Sequence, residues 1–342
     1  MKIVVDTSSN TPIYRQIVDY VSSSIIESRA RAGELLPSMN ELAAELGISK
    51  ETVKKAYAIL RDHGYIEAKQ GKGFYIAPRK SGRKMKVLVL FDKLSTYKQL
   101  TFNKMQEILG DRAEIVIRFH NQSIDLLEYY LDENLDSYDY YVVSPHFPLD
   151  EKSQKAVLKQ LKRIPNRKFI MMDNWMSELQ GNYGAVYQDF KNDAYDGLSQ
   201  GLDKLKKFKR LNVITTESSL YHSDIQYSVM RFCRDNRIDV AFHSTFSPEV
   251  VNANEVYLIL NSQMETAIID IARIAKDKCL RIGKDISVIS YNESPINEIV
   301  LGGLTTISTD FAKMGEIAAR MILSRTMIKT RCEFRMNRRS SF

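Results

Sequence analysis

Residues 36–60 read "LPSMNELAAELGISKETVKKAYAIL" and contain two helix starts in close succession. Ser38 is followed three residues later by Glu41, the spacing of a capping box: the serine hydroxyl accepts a backbone N–H and the glutamate reaches back to the cap. Gly47 then supplies the left-handed stop that ends a short helix. Ile48-Ser49 make a tight turn, and the next helix places Val53, Ala56, Tyr57 and Leu60 on one face, with Lys50, Glu51, Lys54 and Lys55 on the other. A charged outer face is ordinary for a helix in water. Two helices joined by three or four residues, however, form a helix-turn-helix, in which the start of the second helix can enter a major groove.

The flanking sequence extends this unit. Thr11-Pro12 opens a first helix with Ile13, Ile17, Val21 and Ile25 spaced by four. Beyond Gly64, "YIEAKQGKGFYIA" alternates apolar residues around Gln70-Gly71-Lys72-Gly73, a hairpin tip flanked by cations, and reads as a wing. This glycine pair lacks the strand-before, helix-after setting of a phosphate-binding loop. Residues 1–84 hold 14 Lys and Arg against 9 Asp and Glu, residues 85–324 hold 29 against 32, and residues 325–342 hold 6 against 1. A basic module on a weakly acidic body fits a polyanion partner at one end of the chain.

"PIYRQIVDYV" (12–21) with residues 36–77 resembles the winged helix-turn-helix of the GntR family of bacterial transcription regulators. The resemblance implies double-stranded DNA as partner. It implies contacts from Ser49, Lys50, Thr52 and Lys54 on the second helix, from Ser38 and Asn40 at the start of the first, and from Gln70, Gly71, Lys72 and Gly73 at the wing tip. Lysine stands at 50 and 54 where the family usually has arginine, which favours phosphate contacts over bidentate guanine readout. Met39-Asn40 replaces a common Glu-Arg, leaving Asn40 as a candidate reader of adenine.

"APRKSGRKM" (77–85) is basic, carries Pro78 and Gly82, and reads as a linker. The expected organisation is a DNA-binding domain over 1–77, a linker over 78–85 and a larger body over 86–342. In the body, short apolar runs ("KVLVLF", "EIVIRF", "YYVV", "KFIMM", "LNVIT", "VYLIL", "ISVIS") alternate with helical segments, the pattern of an α/β fold with parallel sheets. Polar residues follow these runs: Asp92, Ser144, Asp173-Asn174, Glu217, Asn261 and Asn292-Glu293. Singly they are ordinary turn formers. As a set at the carboxyl ends of strands they point to one cleft for a polar ligand. Carboxylates and amides suit vicinal hydroxyls, and aromatics such as Tyr97 and Trp175 suit the apolar face of a sugar ring.

The body resembles the effector domain of the lactose-repressor family, itself similar to periplasmic sugar-binding proteins. Residues 257–293 and 304–323 carry the match, with weaker agreement at "VVSPH" (142–146) and "MMDNW" (171–175). The resemblance implies two type I periplasmic-binding-protein lobes joined by three crossovers and closing on a sugar, with Asp92, Asp173, Asn261 and Asn292 at ligand-lining positions; Tyr97, Ser144, His146 and Trp175 are further candidates for the lining. The segment "SSLYHSDIQYSVMRF" lacks the family's sugar-binding arginine, and His222 and Asp224 are the residues available in its place. A GntR-type reader on this sensor is the arrangement of arabinose-responsive repressors.

Three cysteines, Cys233, Cys279 and Cys332, give neither a disulfide framework nor a metal site, and Cys233 and Cys279 are expected to be buried in helices. The histidines show no metal-ligand spacing, and no cofactor is expected. No HExxH or GxxxxGK[ST] motif is present, and the GxSxG match at 197–201, "GLSQG", lies inside a helical segment rather than at the strand-to-helix turn that a nucleophile elbow needs. The start "MKIVVDTSSN" lacks a signal-peptide core, and no apolar run reaches the ~20 residues of a membrane span. The sequence therefore reads as a cytoplasmic, sugar-controlled repressor acting as a homodimer on a two-fold operator, without enzymatic activity. The alternative is a sugar-modifying enzyme with an appended DNA-binding module.

Overall fold

The computed structural model describes residues 3–6, 12–26, 29–62, 64–77, 84–215, 220–260 and 264–342. Three helices open the chain, α1 (Ile13–Ile26), α2 (Met39–Leu46) and α3 (Lys50–Asp62), followed by the hairpin β1 (Ile66–Lys69) and β2 (Gly73–Ile76). The capping box is formed: the Glu41 amide donates to Ser38 Oγ at 3.2 Å, and the Ser38 amide to Glu41 Oε2 at 2.8 Å. Gly47 takes the left-handed conformation at φ 64° and ends α2. Val53, Ala56, Tyr57 and Leu60 are buried against Ile17, Val21 and Leu42, as their spacing requires. Leu35 bridges Tyr75 antiparallel, adding to the wing an element for which the sequence had no signal.

Among the described residues the body holds two six-stranded sheets. The first lobe contains β3 (Met85–Phe91), α4 (Thr96–Leu109), β4 (Ala113–Phe119), α5 (Ile124–Asn134), β5 (Tyr140–Val143), α6 (Glu151–Leu161), β6 (Phe169–Asp173) and β7 (Gly184–Tyr187). The second contains α7 (Asp193–Ser199), α8 (Leu202–Leu205), β8 (Arg210–Ile214), α9 (His222–Asn236), β9 (Asp239–His243), β10 (Glu255–Ile259), α10 (Met264–Asp277), β11 (Ser287–Tyr291) and β12 (Thr305–Thr309). The chain then returns to the first lobe with α11 (Phe311–Ser324) and β13 (Lys329–Arg331), and ends in the second with β14 (Phe334–Asn337).

The first sheet runs β13-β7-β6-β5-β3-β4, every pair parallel. The second runs β14-β12-β11-β10-β8-β9, parallel except for β14 against β12. Near-continuous apolar strands such as Val87–Phe91 are buried because helices cover both faces. This is the α/β architecture expected, with two Rossmann-like lobes behind a winged helix-turn-helix. The strands β7, β9, β12, β13 and β14 were not expected; they are short or carry polar residues that dilute the apolar signal.

Three crossovers join the lobes, at β7–α7, β12–α11 and β13–β14. Arg331 Nη2 meets Asp193 Oδ1 and Asp196 Oδ2 at 2.6 Å each, and the Cys332 amide donates to the Tyr187 carbonyl at 2.8 Å, tying the first crossover to the third. Burial pushes the Asp193 carboxyl up to about 6, against the opposing pull of Arg331. α11 packs on α4 with Gly315 directly over the Thr101 carbonyl, where a Cβ would lie 2.1 Å from the oxygen. Cys233 is buried as expected, but Cys279 is exposed, because it sits past the end of α10 in a left-handed turn (φ 55°) rather than on the helix face. No helix among the described residues is long and apolar enough to cross a membrane.

Candidate nucleic-acid interface and interlobe cleft

The outer surface of the reader is built from three short stretches. Ser49 caps α3: its hydroxyl accepts the Thr52 amide at 3.2 Å and lies 2.8 Å from Thr52 Oγ1. Lys50 and Lys54 are exposed, and Lys54 pairs with Glu51 at 3.3 Å, a weak surface contact that water and salt screen. Ser38 and Asn40 are exposed at the start of α2. At the wing tip, the Lys72 amide donates to the Lys69 carbonyl at 2.9 Å, and Gly71 and Gly73 adopt φ 69° and 98°. Those angles are open to glycine and costly for a side chain, and Lys72 between them is exposed.

The second group of polar residues lies where the carboxyl ends of the strands face the gap between the lobes. Asp92 follows β3, Ser144 and His146 follow β5, and Asp173 ends β6. The sequence reading did not include their central partner. Lys98, in the first turns of α4, is 4% exposed; its ammonium meets Asp92 Oδ1 at 3.2 Å, Ser144 Oγ at 2.9 Å and Asp173 Oδ2. His146 Nε2 donates to the same Asp173 oxygen at 2.7 Å, and Gln188 Nε2 donates to Oδ1. Thr309, from the second crossover, donates to Gln188 Oε1 at 2.9 Å, so the cluster is linked to the hinge.

Burial alone would raise the Asp173 pKa, yet the Lys98 ammonium and His146 hold it well below the usual carboxylate range. Burial likewise pulls the Lys98 pKa down, and Asp173 and Asp92 reverse this and raise it. Asp173 and Lys98 are therefore a buried ion pair. Asp173 also has φ 76°, and Asn292 at the end of β11 has φ 74°. Each lobe thus turns its strand end through a conformation that a non-glycine residue rarely adopts.

The second lobe contributes polar atoms with no partner. Tyr221 Oη, Tyr291 Oη and Asn292 Oδ1 are buried without a hydrogen bond. Tyr221 stacks on Phe190 at 4.0 Å and meets the His146 ring edge-on at 5.2 Å, and so reaches across to the first lobe. Tyr97 stacks on Phe311 at 5.1 Å, and burial raises its phenol pKa, helped by Asp173. Trp175 stands at the rim, 38% exposed, its ring tilted against that of Tyr187 at 4.9 Å and its Nε1 donating to Tyr183 Oη at 3.2 Å. His222 Nδ1 lies 2.9 Å from Thr215 Oγ1, and Asp224 is half-buried in the first turn of α9. Asn261 and Glu217 lie outside the described residues.

Sequence reasoning thus missed Lys98, Gln188, Tyr221, Tyr291 and Thr309. A lysine on a polar helix gives no sign that it is buried, and Gln188 follows β7, a strand whose four residues "GAVY" were not recognised. His120 is fully buried, held by the Ser144 carbonyl at 2.9 Å and stacked on Phe147, and burial lowers its pKa to about 4. It braces the β5 end rather than facing the gap.

The capped helices, exposed cationic turn and glycine-tipped wing coincide with a family match: residues 13–76 fit the description "Bacterial regulatory proteins, gntR family". These residues are a gntR-family helix-turn-helix domain. Residues 260–336 match the periplasmic binding protein-like domain. The reader is similar to the HTH-type transcriptional repressor YtrA of Bacillus subtilis, 39% identical over 75 residues, covering 22% of this chain and 58% of that protein. It is also similar to the mannosyl-D-glycerate transport/metabolism system repressor MngR of Escherichia coli, 32% identical over 82 residues, covering 24% of this chain and 34% of that protein. The chain therefore spans less than two thirds of either relative, and the likeness is confined to the gntR-family reader. In fold, the chain resembles the trehalose repressor of Escherichia coli (TM-score 0.58, 10% identity, 75% of this chain and 100% of that one). It also resembles the lac repressor bound to ONPG in its repressed state (TM-score 0.56, 15% identity, 94% and 95%).

Proposed function

We propose that the chain is a DNA-binding transcription regulator, a cytoplasmic repressor working as a homodimer, whose hold on its operator is controlled by a sugar bound between the lobes. Support for the DNA half comes from the gntR-family reader with its exposed Lys50, Lys54 and Lys72. The observation that carries the sensor half is the buried Asp92–Lys98–Asp173 cluster of the first lobe together with Tyr221 of the second, whose ring meets that of His146 and whose hydroxyl has no hydrogen bond. Unpaired buried polar atoms are costly, and such atoms together with carboxylates supply both the donors and the acceptors that a polyhydroxylated ligand needs. A ligand touching both lobes favours the closed arrangement of the hinge, and only such a preference can move a regulator off DNA.

The direct test is binding of the full chain to DNA from its own upstream region, titrated with a panel of monosaccharides and sugar phosphates. Specific binding that one sugar releases is the expected result. Specific binding that no member of the panel alters would refute the sensor role, and equal affinity for all DNA would refute the operator role.

A further inference from the structure

The reader is not merely tethered to the sensor; it is docked on it. Arg15 of α1 is 7% exposed although its helix belongs to a small domain, and its guanidinium is spent on the first lobe. Nε donates to Asp136 Oδ1 at 2.9 Å and Nη1 to the Arg163 carbonyl at 3.2 Å. The neighbouring Tyr14 hydroxyl donates to Asp136 Oδ2 at 3.2 Å, and Lys55 of α3 lies 3.9 Å above the Tyr14 ring. Two further contacts flank this centre: Lys168 approaches Asp19 of α1 at 3.7 Å, and the Tyr65 hydroxyl donates to Asp139 Oδ1 at 3.2 Å.

The receiving loop is itself fixed. Tyr141 Oη lies 2.7 Å from the Asn134 carbonyl and 2.6 Å from that of Leu135, and the Lys86 amide donates to Asp139 Oδ2 at 2.8 Å. Lys86 is the second residue of β3 and Asp139 immediately precedes β5, the strands whose far ends carry Asp92, Ser144 and His146. Dock and cleft are therefore opposite ends of one rigid block. The docked reader keeps Lys50, Lys54 and Lys72 exposed, so the contact does not cover the DNA-reading surface.

We infer that the first lobe carries a built dock for the reader, with Arg15–Asp136 as the latch that fixes the orientation in which DNA is read. A reader on a loose tether would reach half-sites at many separations, whereas a latched reader in a dimer demands one. This consequence for DNA rests on the function proposed above; the docking itself does not. The test uses the full chain in a Cys279→Ser background, with spin labels at Asp62→Cys and Lys152→Cys and an excess of unlabelled chain. Pulsed electron resonance is expected to give one narrow distance in the parent, a broad distribution in Arg15→Ala and in Asp136→Ala, and a narrow one again in Arg15→Asp/Asp136→Arg. The Asp136 variant leaves the reader's sequence intact, so its loss of docking is not a folding defect of the reader. A broad distribution in the parent, or narrow ones in both single variants, overturns the latch. On operators whose half-site spacing is changed by half a helical turn, the single variants are expected to discriminate about tenfold less than the parent, with discrimination restored by the swap. Unchanged discrimination would refute the orienting role, whereas a parent that binds no operator refutes the proposed function and leaves the distance measurement to decide the dock.

Discussion

Replacing Lys98 with methionine removes the one cation lodged between Asp92 and Asp173 while keeping most of the side-chain volume. The three side chains are each about 5% exposed, so water cannot take over the role of the ammonium. Breaking a buried ion pair by deleting one partner typically costs about 3–5 kcal/mol, because the remaining charge stays buried and uncompensated. Two carboxylates share the loss here, although His146 and Gln188 still serve Asp173. The expected destabilisation is therefore about 3 kcal/mol at neutral pH, read by urea denaturation at fixed protein concentration. The pH dependence should change sign. In the parent, the folded-state pKa of Asp173 is depressed, so its contribution is present above the unfolded value of about 3.9 and is lost as pH falls through the lower folded value. Without Lys98, burial raises the folded carboxylate pKa, so the variant's deficit is largest above that raised value and shrinks as acid protonates the group. A second substitution, Asp173→Asn, should recover part of the loss at neutral pH. A Lys98→Met deficit below about 1 kcal/mol, or one independent of pH between 4 and 7, would refute the account of the cluster as a buried, mutually compensating unit.

The reader and the packing of the lobes give further tests. Lys54→Ala should weaken binding to all DNA sequences alike and reduce the slope of log K against log salt by about 0.9 if it neutralises one phosphate; salt titration of operator affinity measures this, and an unchanged slope removes Lys54 from the interface. Gly71→Val forces a β-branched residue to φ 69° at the wing tip, so operator affinity should fall while sugar-induced release persists in the same anisotropy assay. Gly315→Ala places a Cβ against the Thr101 carbonyl, and urea denaturation should show a loss of about 1–3 kcal/mol from the strain of moving α11 off α4. Asn292→Ala should raise the sugar concentration for half-release two- to about twelvefold, the equivalent of about 0.5–1.5 kcal/mol of hydrogen bonding, with sugar-free operator affinity unchanged.

What the sequence disclosed and what it hid follow from the range of the interactions involved. The helix-turn-helix was legible because its signals are local: Ser38 and Glu41 form their cap within four residues, and Val53, Ala56, Tyr57 and Leu60 lie on one helix face whatever surrounds them. The polar strand ends Asp92, Ser144, Asp173 and Asn292 were legible because a parallel sheet places its carboxyl ends together. Lys98 was not, because nothing within α4 distinguishes a lysine that turns inward; the carboxylates that receive it come from six residues before and 75 residues after. The dock was equally hidden. Arg15 and Asp136 are 121 residues apart, and each alone reads as an ordinary surface charge.

The chemistry of the cleft also bounds how the proposed control would work. Shifting a regulator from 1:99 to 99:1 between DNA-competent and DNA-incompetent states needs about 5.5 kcal/mol of preferential binding. Single neutral hydrogen bonds contribute about 0.5–1.5 kcal/mol net, and those to charged groups about 1.5–3. A ligand held only by the first lobe would stabilise open and closed forms equally and shift nothing. The preference must therefore come from groups that meet the ligand only on closure; Tyr221, Tyr291 and Asn292 are buried second-lobe groups with unspent hydrogen-bonding capacity, and Tyr221 already reaches the first lobe at His146. Three such bonds supply about 1.5–4.5 kcal/mol, somewhat short of a complete switch. The remainder must come from apolar area covered on closure, for which Phe190 and Tyr221 stand ready as a stacked pair beside His146. Removing one second-lobe bond then shifts the release curve without abolishing release, whereas removing the aromatic pair leaves the ligand bound to one lobe and the repressor on its operator.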